Sequence, residues 1–236
     1  MTTASVAHAF WAAHVGVPPE RLFAEPTSIV THAGDLDGYH GVFALFRNGS
    51  RLVSLPPRLA AECHEILSAL PSNYSAGHLA HALRPLAGLI VGPAYVGYLD
   101  RPSVVPLPAA TTRALTELDL DIVNRFKDAC DPTEWEHGGS EVRLRPTSGA
   151  FIDGELAAMA GYDVWGRTIA HLAIITHPAH RGRGMGRAAV AHLAARASAV
   201  GLLPQYRTLD SNLPSLRIAQ ALGFERYATT LAVRLK

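Results

Sequence analysis

The feature that most constrains the fold of this chain is a glycine-rich turn between an apolar run and a helical pattern. The turn reads Arg181-Gly182-Arg183-Gly184-Met185-Gly186-Arg187, after the apolar residues 172–175 and before the helical pattern of residues 187–200. Glycines adopt positive φ and let the backbone approach a ligand closely. The N-terminus of a helix favours an anion. The segment therefore predicts a strand–turn–helix unit that binds an anionic group such as a pyrophosphate.

The spacing of the glycines excludes two common nucleotide-binding motifs. A Walker A loop ends in Gly-Lys-Ser/Thr, and a Rossmann fingerprint needs a different glycine spacing and a later acidic residue. The turn has neither pattern. These two explanations for an anion-binding turn are therefore set aside.

Two linked motifs resemble those of the GNAT N-acetyltransferase superfamily. Arg181, Gly184 and Gly186 match its acyl-coenzyme A loop, R/Q-x-x-G-x-G, and Pro178 precedes them. Residues 212–224 are similar to the later element N-x-x-[AS]-x-x-x-Y-x-x-x-G-F, with Ala219 in place of the tyrosine. The resemblance covers roughly the C-terminal half, and it implies a GNAT fold with acetyl-coenzyme A (acetyl-CoA) as cosubstrate.

The resemblance also implies which residues bind the cosubstrate. Backbone amides of the turn would hold the pyrophosphate, and the backbone of the preceding strand would meet the pantetheine arm. Asn212 is a cap of the following helix, a polar contact near that arm, or both. The implied set is Ile174, Thr176, Arg181, Gly182, Arg183, Gly184, Met185, Gly186, Arg187 and Asn212.

Acetyl transfer to an amine needs a group that accepts the proton of the amine. The superfamily often has a glutamate on the strand before the loop, and here Ala170 falls near that position. Its neighbour His171 is a candidate base with a suitable pKa, or else a hydrogen-bonded core residue. Glu134 and Glu136 are comparable candidates, and we expect their carboxylates to lie away from the loop of residues 181–187.

Ala219 cannot donate a proton, so the acid that the tyrosine supplies in the superfamily is absent. Ser215, Tyr206 or water could replace it, or the thiolate could leave unaided because it is only modestly basic. A protein that binds acyl-CoA without catalysis is the remaining alternative.

The segment around Trp135 is the candidate acceptor site. In GNAT folds the segment after the first helix lines this site, and Trp135 between Glu134 and Glu136 suits a cationic amine through cation–π and charge attraction. The alternative is a solvated loop in which Trp135 packs against the protein. The acceptor would be a primary amine of a small molecule or peptide.

The fold class is α/β (α+β mixed sheet). A GNAT-like fold is preceded by a smaller α/β N-terminal region, which could be a degenerate GNAT-like unit without the loop motif. Asn48-Gly49 predicts a hairpin. The prolines of residues 101–112 predict a boundary between domains 1–105 and 106–236. We also expect a helix over 114–129, a strand near 141–146 and a last strand, 227–235, that closes the sheet.

Composition bounds the partners and the compartment. The net charge of +1 offers no case for nucleic acid. The longest apolar stretch, residues 86–99, is interrupted by glycines and a proline and is too short to span a membrane. Cys63 and Cys130 suggest neither a disulfide framework nor a metal site. The start of the chain does not resemble a signal peptide, so we expect a cytoplasmic protein; its oligomeric state is open.

The function that these observations predict is N-acyl transfer. An acetyl group would move from acetyl-CoA to a primary amine by direct attack in a ternary complex, without a covalent enzyme intermediate. The alternative from another class is a non-catalytic acyl-CoA-binding regulatory protein. A third option is an interaction subunit whose N-terminal half docks a partner that brings the substrate.

Overall fold

The computed structural model describes residues 2–102 and 111–236. The α-helices in this part of the chain are α1 Thr3–Val15, α2 Ala60–Ser68, α3 Ala76–Ala82, α4 Leu120–Asp128, α5 Pro132–Gly138, α6 Met185–Ala199 and α7 Leu213–Ala221. Short 3-10 turns span Pro19–Arg21, Gly34–Leu36, Pro57–Leu59, Glu117–Asp119 and Pro178–His180. The strands are β1 Thr27–Thr31, β2 Gly41–Arg47, β3 Ser50–Leu55, β4 Ala87–Tyr98, β5 Thr111–Ala114, β6 Thr147–Ile152, β7 Glu155–Trp165, β8 Ile169–Thr176, β9 Leu203–Leu209 and β10 Glu225–Leu235.

The described chain divides into two compact units. The first comprises Met1–Gly97, Arg207–Leu216 and Arg226–Lys236, and the second comprises Tyr98–Tyr206 and Arg217–Glu225. The boundary that the prolines predict between residues 105 and 106 falls within 103–110, which lie outside the described residues. That boundary stays a prediction.

In the first unit the strands follow the order β1-β3-β2-β10-β4. The predicted hairpin joins β2 to β3, with Asn48 and Gly49 at φ 49° and 85° in its turn. β10 runs antiparallel to β2 and has β4 on its other side. The expectation that the last strand closes the sheet is therefore wrong, because this strand pairs with the N-terminal hairpin and lies inside the order.

The first unit has its own hydrophobic core. Apolar side chains of α2 and α3 pack against those of the strands, and the fully buried members include Ala44, Val53, Cys63, Leu79 and Leu231. A separate core of this kind is what a compact unit requires.

In the second unit the strands follow the order β9-β8-β7-β6-β5. Neighbours pair antiparallel except β8 and β9, which are parallel and are connected through α6. A parallel pair needs such a crossover connection. Side chains of α4, among them Val123 and Phe126, form a core with Met159 and Ile175 of the strands.

Two local expectations for this unit are wrong. Residues 114–129 are not one helix, because β5 ends at Ala114, a 3-10 turn follows, and α4 begins only at Leu120. The turn is closed by Asp119, whose carboxylate accepts from the Thr116 amide at 2.8 Å and pairs with Arg113 at 2.6 Å. Residues 141–146 form a turn rather than a strand, and β6 begins at Thr147.

Candidate active site

The turn between β8 and α6 has the backbone that its glycines predict. Gly182 has φ +74°, and Gly184 is the N-cap residue of α6 with φ 82° and ψ 1°, in the left-handed region. No side chain caps this helix. Because the first amides of an α-helix have no acceptor within the helix, the start of α6 can donate to an external anion.

Gly186 has a different role from Gly184. It lies within α6, and a Cβ atom added to it would come within 2.7 Å of Thr176 Oγ1 and 3.2 Å of Ile218 Cδ1. Its lack of a side chain therefore lets α6 approach β8 and α7 closely. The expectation of an unusual φ applies to Gly184 and not to Gly186.

A cleft of about 470 Å³ opens at this turn. Three arginines line it, and no carboxylate does; the lining residues are Gly182, Arg183, Gly184, Arg187, Arg217, Ile218 and Ala221. Nε of Arg187 is buried and has no hydrogen-bond partner among the described residues. A positively charged cleft with an unsatisfied donor at a helix N-terminus fits the phosphate groups of a coenzyme A molecule.

Arg217 was not among the sequence-based candidates. It lies within the second motif, two residues after Ser215, at a position that the motif leaves unspecified. A motif of named positions carries no signal for such a residue, and only folding brings it to the cleft.

The strand before the turn has an open edge. The parallel ladder between β8 and β9 runs from Ile169↔Leu203 to Leu172↔Tyr206. The ladder between β8 and β7 continues to Thr176. Backbone groups of residues 173–176 therefore have no strand partner on that side among the described residues; Gly138 of α5 lies against the Ile174 carbonyl, and Arg181 donates to the Thr176 carbonyl at 3.5 Å. Ile174 and Thr176, the expected pantetheine contacts, are in this stretch.

Glu134 lies on α5, where Asp131 caps the helix by accepting from the Glu134 amide at 3.1 Å. Its carboxylate forms an ion pair with Arg181, with Oε2 2.5 Å from Nη2. Arg181 Nε also donates to the Thr176 carbonyl at 3.5 Å. The expectation that both acidic candidates lie away from the loop is therefore wrong for Glu134. Glu136 is exposed and makes no ion pair within the described residues.

Trp135 is partly buried, and its ring lies near Phe126 and Lys127. Its ring meets Phe126 edge-on, with the centroids 6.4 Å apart, and the Lys127 ammonium lies 5.4 Å from the ring centroid. The cation–π contact expected for an acceptor amine is thus made here by a lysine of the same chain. The contact between Trp135 and an acceptor stays a prediction.

Two of the contacts that His171 makes orient its ring. Its ring stacks on Trp165, with the centroids 3.8 Å apart, and Nδ1 lies 2.9 Å from Oε1 of Gln205. The buried Gln205 donates from Nε2 to the Tyr98 hydroxyl at 2.7 Å. In this arrangement the amide oxygen can only accept, so Nδ1 carries the proton of a neutral His171. Sequence reasoning missed Gln205 and Tyr98, which are distant from His171 along the chain.

Strand alternation places His171 on the same face of β8 as Ile175. Ile175 belongs to the core that includes Phe126 of α4, with Trp135 of α5 packed against it. Ile174 and Thr176 lie on the other face, next to Gly186 of α6. His171 therefore shares a face with the helices that carry the acceptor-site candidates.

Ala219, at the position of the superfamily's tyrosine, and the candidate acids Tyr206 and Ser215 lie in different environments. Ala219 is 0% exposed, and its carbonyl accepts from the Phe224 amide at 3.0 Å. Tyr206 is also buried and meets Phe224 edge-on. Asn212 Oδ1 accepts from the Ser215 amide at 3.3 Å, so Asn212 has the capping role at α7. Asn212 and Ser215 belong to the first unit, whereas the turn belongs to the second.

Three further findings concern metal binding, membrane spans and the cysteines. Among residues 2–102 and 111–236, no group of three or more His, Cys, Asp and Glu side chains could hold a metal ion. No helix in the same ranges is both long and apolar enough to cross a bilayer. Cys63 and Cys130 are buried free thiols, and burial raises the pKa of each.

Comparison with known proteins agrees with this geometry. Residues 113–224 match the acetyltransferase (GNAT) family. No curated protein matches the chain. A GNAT acetyltransferase structure from Colwellia psychrerythraea is 15% identical, with a TM-score of 0.52, over 78% of this chain and 76% of that one. A GCN5-related N-acetyltransferase-like protein from Streptococcus suis 89/1591 is 14% identical, with a TM-score of 0.50, over 84% and 90%.

The chain carries an acetyltransferase domain of the GNAT family at residues 113–224. The superfamily expected from the two motifs, and with it the class of N-acetyltransferase enzymes, is confirmed. The two structural likenesses concern the fold alone. Each extends over more of the chain than the family match, so the GNAT-like fold includes part of the N-terminal region.

Proposed function

We propose that this protein transfers an acetyl group from acetyl-CoA to a primary amine of a small molecule or peptide. The amine attacks the thioester carbonyl directly in a ternary complex, the bond from carbon to sulfur breaks, and coenzyme A leaves as the thiol. The observation that carries the proposal is the arginine-lined cleft at the start of α6. Gly184 lies there in the left-handed region, and Arg187 Nε has no hydrogen-bond partner among the residues that the structure describes.

In this proposal, different residues bind the pyrophosphate and the pantetheine arm of the cosubstrate. Amides from Gly182 to Arg187 donate to the pyrophosphate, and the guanidinium groups of Arg183, Arg187 and Arg217 neutralise its charge. Met185 is buried and anchors the first turn of α6. Backbone groups of Ile174 and Thr176 on the open edge of β8 hold the pantetheine arm, which aligns the thioester for attack. Asn212 caps α7, and its polar contact near the pantetheine arm stays part of the proposal.

For proton acceptance from the amine, the orientation of His171 supports this residue over the two glutamates. Gln205 accepts from Nδ1–H, and this hydrogen bond selects the tautomer in which Nε2 is the basic nitrogen. The carboxylate of Glu134 is engaged with Arg181, and Glu136 has no partner that would position it within the described chain. Ser215, which is partly buried, is retained as a candidate donor to the leaving thiolate, alongside unaided departure.

A second candidate function is the binding of acyl-CoA without catalysis. The observation that favours it is Ala219, which is fully buried where the superfamily has its tyrosine. If no residue supplies the acid and the thiolate is not released, the domain would bind acyl-CoA and respond to its concentration without converting it.

Two measurements test these alternatives. Calorimetric titration with acetyl-CoA should show binding that NAD and ATP do not reproduce, and acetyl-CoA should raise the melting temperature by mass action. Thiol release in the presence of a panel of primary amines should then rise above the rate without an amine. Binding without release on any amine would favour the regulatory function, and absence of binding would contradict both.

We propose a cytoplasmic location for the enzyme. Thiols stay reduced in that compartment, in keeping with the free Cys63 and Cys130.

A further inference from the structure

A row of polar side chains crosses the second unit from β7 to the end of β4. The strand registers place Asp163 of β7 opposite His171 of β8, and His171 beside Gln205 of β9. The hydroxyl of Tyr98, the last residue of β4, lies 2.7 Å from Nε2 of Gln205. Side chains in register on neighbouring strands interact directly. His171 therefore has a carboxylate on one side and an amide on the other.

The amide of Gln205 has a protein partner at each of its two ends. The residue is fully buried, its Oε1 lies 2.9 Å from Nδ1 of His171, and its Nε2 donates to the hydroxyl of Tyr98. The reverse orientation would place the amide nitrogen against Nδ1. Because that nitrogen can only donate, the proton of the ring would then lie on Nε2. The orientation of one buried amide therefore decides which nitrogen of His171 is basic.

Gln205 is also a neutral partner, at a position where a carboxylate could accept from Nδ1 equally well. A carboxylate in direct contact with a histidine favours the charged ring and raises its pKa, whereas an amide accepts the hydrogen bond without that charge. The charged groups that face His171 from β7 and its neighbour are Asp163 and Arg145. These two pair at 2.8 Å and are about 40% exposed, so solvent and the pairing both weaken their effect on the ring.

We propose that Gln205 is a positioning residue for acetyl transfer, which holds His171 in the tautomer whose Nε2 takes the proton of the amine and, being neutral, lets the ring give that proton up again. This role rests on the proposed function, in which His171 is the base. The amine nitrogen bonds to the thioester carbon as the bond from carbon to sulfur breaks. Nε2 takes the amine proton, which then passes through water to the thiolate, so that coenzyme A leaves as the thiol.

Nitrogen-15 NMR of the histidine rings, recorded on the full chain without substrate, tests the tautomer directly. The His171 signals are identified by their loss in His171→Gln, and we expect the proton of the neutral wild-type ring on Nδ1. Gln205→Leu removes the acceptor, so the ring should become a mixture of both tautomers and kcat should fall by about 10–100-fold. A wild-type ring that carries its proton on Nε2 overturns the proposal.

Gln205→Glu tests the neutrality of the partner. The midpoint of His171 protonation, read by NMR, and the acidic limb of kcat/KM should move together to higher pH by about 1–2 units. A purely structural role of Gln205 predicts that neither moves. If the two substitutions at this buried position prevent folding, Tyr98→Phe keeps the test available. It removes only the hydroxyl that holds the amide, and it should also give a mixture of tautomers.

Thr147→Val is the matched control. Thr147 is buried on β6 of the same unit, and its hydroxyl has no hydrogen-bond partner among the described residues. The change should leave the tautomer, the midpoint and kcat as in wild type. The proposal is overturned if folded Gln205→Glu keeps the wild-type midpoint, or if Thr147→Val moves it as far.

The NMR measurements need no substrate, so the two proposals can fail separately. The expected tautomer without thiol release on any amine would contradict acetyl transfer. Thiol release by a protein whose His171 has the other tautomer would contradict the role of Gln205 alone.

Discussion

The carboxylate of Glu134 pairs with the guanidinium of Arg181, so a helix expected to line the acceptor site contacts the turn expected to bind the cosubstrate. Both side chains are about half exposed. An exposed pair of this kind contributes little to stability. The pair does couple two charges that sequence reasoning assigned to the binding of different substrates. A change of charge at either residue will therefore alter the electrostatic environment of the other.

Glu134→Gln should tighten the binding of coenzyme A by a factor of about 2–5, because it removes a negative charge beside the turn and frees the charge of Arg181. Calorimetric titration measures the change. Glu136→Gln is the matched control on the same helix and should leave the affinity unchanged. If Glu134 is also the base, turnover should fall by about 10²–10⁴. Equal affinities for the two variants and wild type would contradict the coupling.

Gly184→Val should abolish coenzyme A binding, because a β-branched residue resists φ 82° and its side chain occupies the approach of the phosphate. Gly201→Val is the control, since Gly201 has φ +81° at the far end of α6 and open space around it. Both variants should lose about 1–2 kcal/mol of unfolding free energy. Only Gly184→Val should lose binding. Comparable loss in both would show that backbone strain, and not the cleft, is responsible.

His171→Gln should remove the acidic limb of the pH profile of kcat/KM and lower turnover by about 10²–10⁴, because the side chain would no longer accept a proton. His192→Gln is the control. His192 is partly buried in the same unit, and its Nδ1 lies within hydrogen-bond distance, 2.9 Å, of Ser148 Oγ. Burial lowers its pKa. Its replacement should lower the melting temperature and retain the limb. An intact limb in His171→Gln would assign His171 to the core alone.

Asp119 should make the stability of the protein depend on pH in acid. The hydrogen bonds from Arg113 lower the pKa of its carboxyl to about 2. A folded-state pKa below the unfolded value of about 3.9 means that the contribution is complete above about pH 4 and is lost as pH falls through about 2. Urea unfolding at several pH values should show a loss of roughly 1–2 kcal/mol that is absent in Asp119→Asn.

Ala219→Tyr should destabilise the protein and should not accelerate turnover. Ala219 is fully buried, so a tyrosine would have to displace its neighbours, at a cost of about 1–3 kcal/mol or more. Gln220→Tyr, at an exposed position of the same helix, should be nearly neutral. Faster thiol release by Ala219→Tyr at unchanged stability would show that the position accepts the acid of the superfamily.

Local patterns predicted much of the local structure. The glycines of residues 182–186 predicted the turn before α6, Asn48-Gly49 predicted the hairpin between β2 and β3, and two motifs predicted the family. Each of these signals is carried by residues that are close in sequence, where backbone preferences act directly. The late start of α4 was missed because Asp119 gains its contacts from Arg113, and a propensity for helix does not include that ion pair.

The sequence by itself determined the glycine backbone of the turn and the family of the domain. Only the tertiary structure decided that Glu134 contacts Arg181, that Gln205 orients His171, that Arg217 joins the cleft, and that β10 lies between β2 and β4. The physical reason is the distance along the chain between the residues that interact. Positive φ and helix termini are properties of a few consecutive residues, whereas side-chain pairs and strand neighbours join positions far apart along the chain that meet only when the chain is packed.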